Sequence, residues 1–121
     1  MLRTDFSDER AWESLRAAIE KAGDEFKANV QYISDREYDG MEPGELPSLV
    51  KDSAFAFIAD HETLTMRGRP VLVMDLAEQP GRVFRVLASQ LALVENNLST
   101  ANMDFEEFAA ASDEKGIFRG F

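Results

Sequence analysis

Residues 54–59 read Ala-Phe-Ala-Phe-Ile-Ala, and residues 70–76 read Pro-Val-Leu-Val-Met-Asp-Leu. Both stretches are apolar at consecutive positions, which is typical of central strands whose two faces are covered by helices. The turn sequence Glu-Gln-Pro-Gly at 78–81 separates the second stretch from a strand pattern over 82–87. Because this connection is short, residues 70–76 and 82–87 are predicted to form an antiparallel hairpin.

The chain before this core alternates strand and helix patterns. Residues 1–5 and 28–34 are predicted strands, and residues 45–51 a short helix. Between the first two strands, apolar residues recur at helical spacing over 8–22, with Ser7 as the expected N-cap. Because helices separate the strands at 1–5, 28–34 and 54–59, these three are expected to be parallel.

Helical patterns return after the hairpin, first near Ser89 and then after Asp104. The predicted order is therefore β-α-β-α-β-β-β-α-α. It specifies an α/β domain with a mixed sheet of about five strands and helices packed on it.

The composition fits one domain over residues 1–121 and limits its partners. Hydrophobic residues make up 45% of the chain, which argues against disorder, and no apolar run approaches the roughly 18–20 residues that span a bilayer. The net charge is −10, so the chain should repel nucleic acid and anionic membranes and attract basic proteins, unless the charge serves solubility alone. The chain has no cysteine, and a cytoplasmic location is the simplest expectation.

Asp5, Asp35 and Asp60 each follow directly on a predicted strand. If those strands are parallel, the three carboxylates lie at one edge of the sheet, where open α/β sheets bind ligands. Such a group could hold a divalent cation such as Mg²⁺, which prefers oxygen ligands. The alternative is that they are ordinary turn and cap residues, as Asp often is after a strand. No other cofactor is expected.

His61 is the only histidine and lies between Asp60 and Glu62. A histidine beside a carboxylate can act as a general base, but a loop histidine without a catalytic role is the favoured interpretation. The chain has no nucleophile elbow and no phosphate-binding glycine loop. No residue is therefore predicted to be catalytic, and an enzyme is disfavoured.

The segment 95–105 is rich in asparagine, a residue suited to capping and to bonding backbone groups. We expect a polar junction between two helices here, with a polar recognition surface as the alternative. Arg119 is expected to pair with Asp104 or with a strand-end carboxylate. The residues of this expected junction are Asn96, Asn97, Asn102, Asp104 and Arg119.

Three stretches together carry a family resemblance. They are Arg-Thr-Asp-Phe at 3–6, the strand pattern at 70–76, and the block Asn-Asn-Leu-Ser-Thr-Ala-Asn-Met-Asp-Phe at 96–105 with Phe-Arg-Gly-Phe at 118–121. The chain resembles a family of small, mainly actinobacterial proteins known only as a domain of unknown function. The resemblance implies a complete bacterial domain and supplies no activity or site residues.

Three functions stay open. The first is a protein-interaction module, for example an immunity-like inhibitor of a basic partner, which would use Asp35 and the acidic residues Glu37, Asp39, Glu42 and Glu45. The second is a small-molecule or metal site, such as that of a hydrolase, around Asp5, Asp35 and Asp60. The third is self-association through Phe118 and Phe121, which leaves a monomer or a small homo-oligomer as the expected state.

Overall fold

The computed structural model of the chain describes residues 1–22, 28–50 and 52–121. The strands of this described chain are β1 (Leu2–Arg3), β2 (Phe55–Ala59), β3 (Pro70–Asp75), β4 (Val83–Leu87) and β5 (Ile117–Phe118). The α-helices are α1 (Glu9–Ala22), α2 (Leu46–Leu49), α3 (His61–Thr65), α4 (Leu91–Ser99) and α5 (Phe105–Ala110). The predicted α/β class is therefore confirmed.

The five strands form one mixed sheet in the order β1-β2-β3-β4-β5. The two outer pairs, β1–β2 and β4–β5, are parallel, whereas β2–β3 and β3–β4 are antiparallel. The predicted hairpin of 70–76 and 82–87 is confirmed by the pairing of Val71 with Val86. The parallel relation expected between the strands at 1–5 and 54–59 is confirmed by the pairing of Leu2 with Ile58.

The strand predicted over 28–34 is wrong. The described structure gives this segment a single bridge, in which Ile33 pairs in parallel with Leu2. Val30 and Tyr32 are only partly buried and pack against the core from an irregular segment. Val30 and Tyr32 predicted a strand because β-branched and aromatic side chains fit a half-buried surface, whether or not their backbone forms a hydrogen-bonded β-ladder.

Two short elements were not predicted. Helix α3 follows β2 directly and turns the chain back, so that β3 runs antiparallel to β2. Strand β5 pairs with β4 through Ile117 and Phe118, near the end of the chain. Neither element is long enough to produce a periodic pattern in the sequence.

The sheet is covered on both faces, as the apolar strands predicted. Every residue of β3 is buried. One face packs against α1 and α4 through residues such as Trp12, Leu15 and Val94. The other face packs Ile58 and residues of α2 into a smaller cluster, whose buried members are Leu2, Leu46, Ile58, Leu72 and Met74.

Side chains at the ends of the elements define their limits. The N-cap of α1 is Asp8 and not Ser7, since the Asp8 carboxylate accepts the Ala11 N–H at 3.1 Å. In the hairpin turn, the buried Asp75 accepts the backbone N–H groups of Ala77 and Gln79 at 2.9 and 3.0 Å. No helix among the described residues has the length and apolar character needed to cross a membrane.

Candidate functional site

Strands β1 and β2 are parallel, so their carboxyl ends meet at one edge of the sheet. Asp5 follows β1 and Asp60 follows β2 at this edge. The Asp5 Oδ2 atom lies 2.9 Å from Nδ1 of His61, the first residue of α3. The partner of His61 is thus a carboxylate 56 residues away in the sequence, and neither of its acidic neighbours.

The Asp5–His61 pair is asymmetric in exposure. The His61 side chain is 76% exposed, whereas that of Asp5 is 13% exposed. Burial alone would raise the pKa of Asp5, but hydrogen bonds from Ser7 and His61 hold that pKa below its ordinary value. The carboxylate is therefore ionised at neutral pH and orients the imidazole ring through Nδ1.

Asp60 lies beside this pair but belongs to a separate network. Its two oxygens accept hydrogen bonds from Nη1 and Nη2 of Arg85 at 3.0 and 2.8 Å, the two-pronged geometry that makes arginine–carboxylate pairs strong. Asp60 also caps α3, because it accepts the Thr63 N–H at 3.1 Å. Burial would raise the pKa of Asp60, but Arg85 and Thr63 lower it below its ordinary value.

Arg85 is also paired with Glu62, whose Oε2 lies 2.6 Å from the arginine Nε. Asp60 and Glu62 therefore share the cation Arg85, and Asp5 is hydrogen-bonded to His61. A divalent cation would have to displace Arg85 from Asp60 and His61 from Asp5, which would leave the largely buried guanidinium of Arg85 without its two-pronged partner. The arrangement does not fit a metal centre.

Asp35 is apart from the other two predicted ligands. It caps the 3₁₀ helix Arg36–Tyr38 by accepting the Glu37 N–H at 3.0 Å, and no described strand precedes it. Among the described residues, no three histidine, aspartate or glutamate side chains are grouped to hold a metal ion. The geometry thus relates Asp5 to His61 and Asp60 to Arg85, with Asp35 in a capping role.

Arg3 is a buried arginine beside this edge of the sheet whose role the sequence did not reveal. Its side chain is 1% exposed and is held by Glu9 at 3.0 Å, by the Asp5 carbonyl and by Ser34. The guanidinium carbon lies 4.3 Å from the centre of the Phe6 ring. Arginine stacked on an aromatic ring is a common way to bury this charge. The signal available in the sequence was the position of Arg3, two residues before Asp5 and three residues before Phe6.

The residues predicted as a partner surface lie in the segment 35–45, here called the acidic segment. Its four outward carboxylates are exposed, and none forms an ion pair within the described chain. The backbone of the segment is anchored, because the Gly40 N–H donates to the Thr4 carbonyl at 2.8 Å. These four carboxylates are Glu37, Asp39, Glu42 and Glu45.

The asparagine-rich segment links α4 to α5. Asn97 donates to the Leu93 carbonyl, and Asn102 donates to the Asn97 side chain at 2.7 Å. Asn96 donates to the Ala92 carbonyl at 2.8 Å, and Asp104 caps α5. Arg119 pairs with Asp113 at 2.7 Å rather than with Asp104 or a strand-end carboxylate.

The chain ends on two phenylalanines with different environments. Phe118 is fully buried in the core, and its ring meets that of Phe108 edge-on at 5.2 Å. Phe121 is 79% exposed, although its ring centre lies 5.0 Å from that of Phe118. Phe118 thus closes the domain's own core, and self-association through Phe121 stays a prediction.

A cavity of about 440 Å³ opens near the start of β1, at some distance from the strand-end carboxylates. Its walls come from the segment before Ile33, from α2, from the first half of β2 and from Glu95 of α4. This volume lies within the range of ligand sites. Sequence reasoning missed it because its walls are brought together only by the fold.

One comparison with known proteins assigns the chain. Its residues 1–121 match the model of a domain of unknown function, DUF6924. No curated protein matches the chain. The match covers every residue and confirms the expected membership of a family described as a domain of unknown function. The chain therefore belongs to the DUF6924 family.

Proposed function

We propose that this domain is a protein-interaction module that binds a basic protein through the acidic segment. The observation that carries the proposal is a contrast between two groups of carboxylates. Asp60 and Glu62 are both paired with Arg85 of the same chain, and Asp5 is hydrogen-bonded to His61. The four exposed carboxylates of the acidic segment, in contrast, form no ion pair with a described residue and keep oxygen lone pairs open to an external cation.

Electrostatics favours a protein partner over the other classes. A net charge of −10 disfavours nucleic acid, whose binding depends on replacing counterions with basic side chains, and it disfavours anionic membranes. Exposed acidic residues accelerate association with a basic surface and discriminate against other partners. An immunity-like inhibitor of a basic protein is the specific form of this role.

The acidic segment is held in one conformation, which reduces the entropic cost of binding. Its two 3₁₀ helices, Arg36–Tyr38 and Pro43–Glu45, are fixed by side-chain hydrogen bonds. In the second, a Glu45 oxygen accepts the Glu42 N–H at 3.0 Å. The apolar Leu46 that follows is 2% exposed and anchors the segment to the sheet.

A fourfold substitution tests the proposal. Glu37→Gln, Asp39→Asn, Glu42→Gln and Glu45→Gln remove the charges and keep hydrogen-bond acceptors. The matched control makes the same chemical changes at four exposed carboxylates outside the acidic segment that form no ion pair with any residue the structure describes. The control substitutions are Glu20→Gln, Asp52→Asn, Glu78→Gln and Glu114→Gln.

The partner is captured by cross-linking in lysate of the source organism, identified, purified and returned to each variant. We expect the acidic-segment variant to slow association about tenfold or more, and the control to change it less than about twofold. Raising the salt concentration should remove most of this difference. Equal slowing in both variants, or a captured protein without a basic surface, would overturn the proposal.

A further inference from the structure

Strand β1 covers only part of the edge of β2. It pairs with Ile58 and Ala59, so the first residues of β2, Phe55 and Ala56, have no strand neighbour on this side among the described residues. On the other side of β2, both Phe55 and Ala56 pair with β3. The edge of the sheet is therefore incomplete next to β1.

The segment before Ile33 forms the opposite wall of this gap. The Ile33 N–H donates to the Met1 carbonyl at 2.8 Å, and the Arg3 N–H donates to the Ile33 carbonyl at 3.0 Å. β1 thus lies between Ile33 and β2 in the plane of the sheet. Neighbouring strands are about 4.8 Å apart, so the space in line with β1 has the width of one strand.

The cavity of about 440 Å³ occupies this space. Val30 and Gln31 line one side of it, and Phe55 and Ala56 line the other. We call it the strand slot. An extended chain placed in the strand slot would lie in the line of β1, beside the uncovered residues of β2.

The two remaining walls of the strand slot differ in character. The wall on the α2 side is apolar and includes Leu46 and Leu49, of which Leu49 is 59% exposed. The wall on the α4 side carries Glu95, which is 4% exposed. α2 and α4 pack on opposite faces of the sheet, because Leu46 and Val94 belong to different core clusters.

Glu95 is a buried carboxylate held by neutral hydrogen-bond donors. Its oxygens accept the Asn29 N–H and the Ser99 hydroxyl, the latter at 2.5 Å, and it has no ion pair among the described residues. A buried charge is costly unless it is paired, and these hydrogen bonds leave lone pairs on both oxygens. The position therefore favours an incoming ammonium or guanidinium group.

From this geometry we propose that the strand slot binds an extended segment of the basic partner, with apolar residues facing α2 and a lysine or arginine facing Glu95. Side chains of a strand alternate between faces, which matches the two unlike walls. Addition of a strand to an open sheet edge is a common mode of peptide recognition. The inference rests on the proposed function, since Tyr38, between Glu37 and Asp39, also lines the strand slot.

The probe is the peptide acetyl-Leu-Lys-Leu-Lys-Leu-amide, titrated into the intact domain and followed by backbone amide NMR and calorimetry. We expect saturable binding with shifts centred on Gln31, Phe55 and Ala56. A peptide with both lysines replaced by glutamine should bind at least about tenfold more weakly. A peptide N-methylated along its backbone should not bind, because it cannot pair with β2.

Glu95→Gln removes the charge, while its amide oxygen can still accept the Asn29 N–H and its amide N–H can donate to the Ser99 hydroxyl oxygen. We expect it to weaken the lysine peptide about tenfold or more and to leave the glutamine peptide unchanged. Glu78→Gln, at an exposed site in the hairpin turn, is the matched control and should leave the affinities for both peptides unchanged. Circular dichroism checks that both variants are folded.

Three results would overturn the proposal. The first is equal binding of the N-methylated peptide, and the second is an unchanged affinity of Glu95→Gln for the lysine peptide. The third is binding of n-hexylamine as tight as that of the lysine peptide, which would indicate a small-amine site.

The outcome of this test is separable from that of the acidic segment. If the peptide does not bind but the captured partner still depends on the four surface carboxylates, only the strand slot proposal fails. If the peptide binds and those carboxylates do not matter, only the proposed function of the acidic segment fails.

Discussion

Arg85 of β4 reaches across β3 to form a two-pronged ion pair with Asp60, with N–O distances of 3.0 and 2.8 Å. The same guanidinium donates to the Pro70 carbonyl at the start of β3. One side chain thus joins β4, β3 and the N-terminus of α3. Its partners are only partly exposed, so the interaction is screened less than a surface pair.

Removing the charge of Asp60 is expected to destabilise the fold. Asp60→Asn keeps an acceptor for the Thr63 N–H but leaves Glu62 as the one described carboxylate paired with Arg85. We expect the free energy of unfolding to fall by about 1–3 kcal/mol, measured by urea denaturation. Glu62→Gln is the control, because that side chain is half exposed and should cost less than about 1 kcal/mol. Equal losses would contradict the central role assigned to Asp60.

The same carboxylate makes stability depend on acid pH. The folded protein lowers the pKa of Asp60 below its ordinary value of 3.8, so between the folded and unfolded pKa values the unfolded chain binds more protons. The contribution of Asp60 to the free energy of unfolding is therefore fully present above about pH 4 and is lost as the pH falls through the folded pKa of Asp60. Urea denaturation of the wild type and Asp60→Asn should give curves that differ at neutral pH and converge in acid. A difference that does not shrink with falling pH would contradict this account.

Divalent cations test the strand-end site directly. Because Asp5 and Asp60 are occupied by His61 and Arg85, we expect Mg²⁺, Mn²⁺ and Ca²⁺ to leave the melting temperature unchanged. Differential scanning calorimetry with and without each ion makes the measurement. A rise in melting temperature that Asp60→Asn abolishes would restore the alternative of a metal site.

The contribution of Arg3 to stability is expected to depend on its planar guanidinium group. Arg3→Lys cannot reach Glu9, Ser34 and the Asp5 carbonyl at once, and we expect it to lower the free energy of unfolding by about 2 kcal/mol. Arg36→Lys is the matched control, because Arg36 is exposed and stacks on the same Phe6 ring at 5.4 Å. Chemical denaturation should find a loss below about 0.5 kcal/mol for this control. Similar losses in the two variants would show that burial of Arg3 contributes little.

Ala101, in the junction between α4 and α5, has a φ of 57°. A left-handed backbone costs an L-residue about 1–2 kcal/mol relative to glycine, which is partly offset by the greater unfolded freedom of glycine. Ala101→Gly should therefore stabilise the fold by about 0.5 kcal/mol in thermal or urea denaturation. Ala17→Gly, at an exposed site within α1, should instead destabilise it by about 1 kcal/mol. If both substitutions destabilise equally, the backbone at residue 101 is not strained.

The parts of the fold that the sequence predicted are those with a continuous local pattern. Residues 54–59 and 70–74 are apolar throughout, which is typical of a central strand, and the structure places both in the sheet with a neighbour on each side. The segment 28–34 has similar side chains, but its backbone meets β1 only at Ile33. Whether such a segment joins a ladder depends on the neighbouring chain, which its own residues do not encode.

The sequence predicted two residues of the candidate site, but it did not predict the residues with which they pair. Asp5 and Asp60 were identified because they follow strands, and the carboxyl edge of a parallel pair does bring them to the same region. Arg85 and Glu95 were not, since each acquires its role through contacts with residues more than 20 positions away. Periodicity reports which face of an element is buried, but it does not report which polar groups face each other across elements.

The sequential order of the strands has a consequence for how the domain assembles. β2, β3 and β4 form an antiparallel meander of short connections, whereas β1 and Asn29 must join residues far along the chain. Pairings of short separation lose less chain entropy on closing, so the meander is expected to form early and β1 to dock late. In native-state hydrogen exchange, the amides of β3 should open only with global unfolding, while those of β1 should open through smaller fluctuations. The edge that carries the strand slot would then be the part of the sheet most able to accept a foreign strand.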